Sequence, residues 1–483
     1  MANTIRIPLL GMVGAFVAQV NGQSIDTVLV TELGRYQHPY VQFADSFSAP
    51  VLSSRIDRLG RPYVYLACSD SGLFVWDITV PTAPVVIKRM PTSFFGDLSV
   101  TNLEQDGTLL YLALGALENS EPGIAVLDVT DATDPMVLDH YAHPAFAHGG
   151  AIVKVKDGFA YVGAMSDGLL VVDVSDPQDV QFHSTYLPDP SWPGIASYAP
   201  NARGMAIVDT LLYLAFDAGG LRVLSIADPS APYQVAQYLN PQHPLLTNPA
   251  YNNIAVKDDR LFVAIDYCGL EVLDIADPVA PQQVEWLNPW SCFGFSWFGS
   301  DGHANELVLA RNDSLLLMSA GDSEVLVYDV TNSDDPVLKG GHIVPNDTAA
   351  AWGVDAFGDL IVAGYINNHG LAFQPFDSKF GGAVLFSMQV DFTTSVANAT
   401  MVHTPFVIWP QPADDVLNVR WDDARDAATK VELFDTHGRT VNMSARRSAD
   451  GWSFDMASLP SGIYVMRLGS SSAIRTVPVI VVH

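Results

Sequence analysis

Little of this chain is basic, and little of it is cysteine. Of 483 residues, 24 are Lys or Arg and 53 are Asp or Glu, a formal net charge of −29. A surface of that sign repels phosphate backbones and anionic lipid, so nucleic acid is not an expected partner. Three cysteines, Cys68, Cys268 and Cys292, are too few for a disulfide framework, and no Cys-x-x-Cys pair is present. At most one bond forms, leaving one thiol over. Long apolar runs are scarce as well. The stretch 7–20 follows Arg6 and is too short to span a bilayer, so it reads as the core of a signal peptide, 1–22. No later run reaches about 18 residues, so no transmembrane segment is expected. Gly-x-Ser-x-Gly, His-Glu-x-x-His, the phosphate loop and the dinucleotide fingerprint are all absent. No cofactor is expected.

What is there is apolar and repetitive. Hydrophobic residues make up 49% of the chain and charged ones 16%, enough to bury a large core. The repeat shows first in "YVYLACSDSGLFVWDITVPTAP", 63–84. "FVWD" suggests the end of a WD40 strand, and "SDSGLFVW" the Asp-box of sialidases. Neither reading holds. Trp76 gives way in later copies to Leu127, Val172, Leu224, Leu273 and Tyr328, and Asp70 and Gly72 each fall one place too early for an Asp-box. What recurs is the Asp: Asp77, Asp128, Asp173, Asp274 and Asp329, with Ser225 in one copy. The steps are 51, 45, 52, 49 and 55 residues.

Each unit holds four short strands. In the fifth they are "NIAVKD", "RLFVAID", "LEVLDI" and "PQQVEWL", called A to D below. These runs are almost continuously apolar, so both faces of each sheet must be covered. Stacked copies of the same sheet do that. Tight A–B turns such as Asp106-Gly107, Asp157-Gly158 and Gly358-Asp359 recur seven times. The expected fold is all-β, a seven-bladed β-propeller followed by a small C-terminal β-sandwich. "DTVLVTELGRYQHP" is similar to the D-strand stretch "YQVAQYLNPQHP", so residues near 27–32 are expected to close the ring. The recurrent Asp, just before a Pro-containing turn, is expected to accept backbone N–H groups rather than hold a metal.

"LLVVDVSDP", "LRVLSIADPSAP" and "LEVLDIADPVAP" resemble the LVIVD repeat, found in exported propellers of bacteria and archaea. The resemblance covers about 52–388 and implies a fold and an outside location, with no catalytic residues to carry over. Near the C-terminus, "WPQPADDVLNV", "VELFDTHGR" and "LPSGIYVMRL" resemble the type A sorting domain of the Bacteroidota type IX secretion system. Its opening here is Trp-Pro-Gln-Pro in place of the commoner Tyr-Pro-Asn-Pro. That resemblance implies the secretion machinery as a partner and a location outside the cell or on its outer membrane. The domains read as a signal peptide 1–22, a propeller 25–390, a linker 391–404 and a sorting domain 405–483.

Candidate site residues come from the loops that join one blade to the next. These D–A loops are long and aromatic, while the A–B and C–D turns opposite are short. They carry Trp192, Tyr198, Tyr251, Trp290, Phe293, Phe295, Trp297 and Trp352. Aromatics beside Asp and Asn suit a sugar ring or a protein partner; packing of the loops on the blades is the competing explanation. His148 and His303 precede A strands and are expected near the central channel. His140, His143 and His148 lack the spacing of a metal site. Cys268 and Cys292 fall on the same face and form a candidate disulfide. The first functional reading is a binding module for a protein or glycan. The alternative is an extracellular polysaccharide hydrolase or lyase, with paired carboxylates in the funnel.

Overall fold

The computed structural model describes residues 24–39, 50–116, 120–194, 199–243, 248–290, 292, 302–321, 324–342, 349–367, 378–393, 406–409, 413–421, 430–434, 440–447, 451–460, 462–469 and 474–481. The expected signal peptide therefore lies outside the described residues. The chain divides into two compact units, Met1–Thr393 and Thr394–His483.

In the first unit the described strands fall into seven antiparallel sets of four, here blades 1 to 7. Blades 1 to 6 span 53–90, 100–142, 152–186, 204–238, 251–287 and 307–342. Burial explains the sequence pattern. In blade 1, strands Tyr63–Ala67 and Leu73–Asp77 are buried along nearly their whole length, whereas the outer Val85–Met90 alternates. Middle strands face a neighbouring blade on both sides and are apolar throughout; the outer strand meets water. Turns between A and B take left-handed backbone, as at Asp157 (φ 51°) and Gly158 (φ 80°), the geometry that twisted hairpins require. Asp, Asn and Gly are the residues that tolerate it.

The A strands pack in cyclic order, and Ala350–Phe357 of blade 7 returns to Ser53–Ile56 of blade 1. Blade 7 consists of Ala350–Phe357, Leu360–Ile366 and Gly382–Thr393, completed by the N-terminal strand Ser24–Gln37. That strand runs antiparallel to Gly382–Thr393, with Val28 opposite Val390 and Tyr36 opposite Ala383. It is longer than the segment read from sequence. Because it pairs as far as Ser24, its partner runs to Thr393 and takes up the start of the linker expected at 391. The same strand also pairs in parallel with blade 6, at Val28–Gly340 and Leu29–Gly341. The closing strand thus joins the outer edges of two blades.

The recurrent Asp does what its position suggests. Asp77, Asp128, Asp173, Asp274 and Asp329 each accept the backbone N–H two residues on, at 2.7–2.9 Å. A second turn of the same kind follows at Asp131, Asp176, Asp228 and Asp277. These bonds satisfy donors that the turn takes out of the ladder.

In the second unit, one sheet contains Phe406–Trp409, Val416–Trp421, Gly451–Asp455 and Ser444–Arg447. The other contains Thr440–Val441, Lys430–Phe434, Gly462–Gly469 and Ile474–Val481. Leu417, Val419 and Phe454 from the first share one core with Leu433, Met466 and Leu468 from the second.

Candidate binding site at one end of the central channel

Because every A strand faces the axis, each blade contributes the start of that strand to one opening. Residues from all seven blades line it, among them Asn102 of blade 2, Arg203 of blade 4, Asn253 of blade 5, Glu306 of blade 6 and Trp352 of blade 7. It lies at the end where D strands hand over to A strands. Further in, a cavity of about 310 Å³ is lined by Arg55, Lys154 and Glu306 beside apolar side chains such as Met205 and Ile254.

Several polar groups at the opening are already used to join blades. The Thr101 hydroxyl donates to the Gly150 carbonyl at 2.5 Å, and Asn252 Nδ2 donates to that of Ala304 at 2.9 Å. Asn305 Nδ2 reaches the Ala351 carbonyl at 3.3 Å. These bonds fix the rim and satisfy groups that would otherwise be buried unpaired.

Below the rim the charges are arranged in pairs. Asp355 accepts from Arg55 at 2.9 Å and from Arg58 at 2.5 Å, and its second oxygen accepts the Ile56 N–H at 2.7 Å. Glu104 accepts from Lys154 at 3.0 Å. Burial opposes ionisation of Glu104, but Lys154 and Arg55 outweigh it and hold the carboxyl below its usual range. Glu306 differs. Burial pushes it up to about 7, against the pull of Arg55 and of the Val354 N–H that it accepts at 3.0 Å. Arg203 differs too: its guanidinium lies 5.6 Å from the centre of the Trp352 ring, a blade 4 cation meeting a blade 7 indole over the opening.

The aromatic residues singled out from the sequence part company here. Trp352 lines the opening, from within the strand Ala350–Phe357 rather than from the loop before it. Trp192 is held in its loop by Arg222, a fully buried arginine that stacks 4.8 Å from the indole and donates to the Trp192 carbonyl at 3.1 Å. Trp290 packs on Gly302, where a Cβ would come within 1.9 Å of the ring. Tyr251 is a correction. It is 0% exposed and begins a strand rather than lying in a loop, and its hydroxyl accepts the Asn240 N–H and bonds Glu271. His303 is another: 1% exposed, it bonds Asp266 in the B–C turn of blade 5. His148 is also tied to a B–C turn, in blade 3, with Asp167 at 3.2 Å and Ser166 at 2.9 Å. Both meet Nδ1, so this Ser-His-Asp cluster is no proton relay, which needs the two partners on opposite ring nitrogens. Tyr198, Phe293, Phe295 and Trp297 lie outside the described residues. No group of His, Cys, Asp and Glu able to hold a metal occurs among the described residues.

Cys268 and Cys292 are bonded, tying the B–C turn of blade 5 to the loop that leaves the blade. Cys68 is buried and free, and burial pushes its thiol well above the usual range. Alkylation of the native protein is therefore expected to modify no cysteine, of the unfolded protein Cys68 alone, and of the reduced unfolded protein all three. Labelling of Cys268 or Cys292 without reductant would contradict the bond. Reduction is expected to cost roughly 3 kcal/mol, from a closed loop of about 25 residues in the chain-entropy treatment.

Arg55, Lys154, Arg203 and Glu306 were not evident as a group in the sequence. Each is a charged residue in a short A strand or at its entry, and the ring brings them together from four blades. The signal available was that charge alone.

Residues 407–483 match the family described as a secretion system C-terminal sorting domain, and 62–92, 151–187, 200–240 and 251–288 match the LVIVD repeat. No curated protein matches the chain. Among solved structures, Raptor of Chaetomium thermophilum is similar with a TM-score of 0.52 at 9% identity, covering 76% of this chain and 30% of that one. The computationally designed Ika8 protein has a TM-score of 0.45 at 12% identity, covering 74% of this chain and 99% of that one. A chain of a mitotic checkpoint complex has 0.47 at 12%, covering 81% and 98%. At 9% identity, the likeness to Raptor concerns the fold alone.

Proposed function

From a chain that carries LVIVD propeller repeats and ends in a type IX secretion sorting domain, we infer an exported binding module that takes a glycan at the open end of its channel. The sorting domain implies a passage through the secretion machinery, to the medium or the outer-membrane surface. The observation that carries the binding reading is the opening itself, where Trp352, Arg203, Asn253 and Glu306 from four blades face one space. A flat indole beside convergent polar groups suits a sugar, whose ring has apolar faces and hydroxyl edges. A rigid ring of sheets holds them in place without rearrangement.

The second reading, a polysaccharide hydrolase or lyase, draws on Glu306. A buried carboxyl pushed up to about 7 beside a cavity is suited to general-acid work. Against it, Glu306 is the only carboxylate among the residues lining the two channel spaces, and Asp355 and Glu104 are held in ion pairs. Paired-carboxylate glycosidases need two groups about 5–10 Å apart flanking the bond. A glycan array with the mature protein, followed by product analysis on each hit, separates the readings. Binding without new reducing ends or unsaturated products is expected. Products that form with wild type and vanish in Glu306→Gln would establish the enzyme instead.

A further inference from the structure

We propose that the channel opening recognises a carboxylate-bearing sugar, a uronic acid residue, with Arg203 forking the carboxylate and the Trp352 indole carrying the ring. This rests on the glycan-binding reading and narrows it. The first argument is charge. The chain carries a net −29, yet the charged residues lining the two channel spaces are Arg55, Lys154, Arg203 and Glu306. Three are cations, and the one carboxylate is pushed up to about 7 by burial. Adding the ion-pair partners Arg58, Glu104 and Asp355 gives four cations against three carboxylates. A positive well in an acidic molecule selects for anions, and its low-dielectric walls focus the field.

The second argument is which cation is uncommitted. Arg55 is bound to Asp355 and Lys154 to Glu104. Arg203 has no carboxylate partner among the described residues; what it has is the face of Trp352. A guanidinium extended over an opening presents a planar fork that matches a carboxylate at two points. Stacking on the indole holds it there before any ligand arrives, which lowers the entropy lost on binding. Asn253 adds a sugar-directed group. Its Oδ1 accepts the Ile254 N–H at 2.8 Å, while its Nδ2 has no protein acceptor among the described residues and is left for a hydroxyl. A peptide carboxylate would satisfy Arg203 equally, but it offers no ring for Trp352 and no hydroxyl for Asn253.

Titration calorimetry of the mature full chain tests this with trigalacturonate, its methyl ester, neutral galactotriose and an acidic peptide. The acid is expected to bind, the ester and the neutral sugar at least about tenfold more weakly, and the peptide not at all. Arg203→Met is expected to erase the preference for acid over ester, and Arg203→Lys to keep only part of it. Equal affinity for acid and neutral sugars, or an intact acid preference in Arg203→Met, overturns the uronate proposal and leaves the glycan reading standing. Stronger binding of the peptide than of any sugar overturns both. An unchanged thermal midpoint and circular-dichroism spectrum show that Arg203→Met is folded.

Discussion

Gly340→Val is expected to detach the closing strand from the edge of blade 6. The closing strand crosses Gly340 so closely that a Cβ there would sit 1.8 Å from the Val28 carbonyl oxygen. No rotamer relieves a clash between a Cβ and a backbone atom. The N-terminal strand must move off blade 6, and the parallel pairing at Val28–Gly340 is lost with it. Val28, Val30 and Ile25 also belong to the core shared by blades 6 and 7, so displacement exposes apolar surface as well as ladder bonds. Ordinary overpacking costs about 1–3 kcal/mol; this backbone collision is expected to exceed that. Two measurements check it. The thermal midpoint should fall by several degrees or more, and amide hydrogen exchange around Val28 and Leu29 should lose its protection. A variant that keeps the wild-type midpoint and protection would show that the outer contact with blade 6 is dispensable.

The other large effect concerns acid and base. Glu271 occupies a strand position filled by Phe74, Leu170 and Leu326 in other blades, and it is fully buried. Burial pushes its carboxyl up to about 8, although the Tyr238 and Tyr251 hydroxyls, at 2.7 and 3.3 Å, pull it down. In the unfolded chain the same group titrates near 4.5. Between those values the folded state holds a proton that the unfolded state has released. This contribution to stability is therefore complete below about 4.5, falls as pH rises, and is lost above about 8. The slope approaches 1.4 kcal/mol per pH unit, a few kcal/mol across the range. Urea unfolding at pH 5 and pH 8.5 should show wild type losing more stability than Glu271→Gln, whose amide can still bond both tyrosines. Glu306 adds a slope of the same sign to both proteins, so the difference between them isolates Glu271. Parallel pH profiles would mean that Glu271 is ionised in the folded state at neutral pH.

The parts legible in the sequence were those written locally. A strand buried on both faces is an apolar run, a hairpin needs Asp, Asn or Gly at positive φ, and an Asp before a Pro turn has nearby N–H groups to accept. Each of these repeats about every fifty residues, so the copies corroborate one another. The site was not written that way. Arg203 and Trp352 are 149 residues apart, and their contact exists only because the ring places blade 4 across from blade 7. The expectation for Tyr251 and His303 failed for a related reason. Both sit where a loop enters a blade: Tyr251 pairs its backbone with Asp217 in the B–C turn of blade 4, and the His303 side chain bonds Asp266 in that of blade 5. Loop aromatics near such junctions pack; aromatics just past them, as at Trp352, face the axis.

The joining of Ser24–Gln37 to Gly382–Thr393 has a consequence for timing. The N-terminal strand has its antiparallel mate some 350 residues later, so until that mate is synthesised the wheel lacks its last spoke. A nascent chain of this design stays unlatched through most of translation.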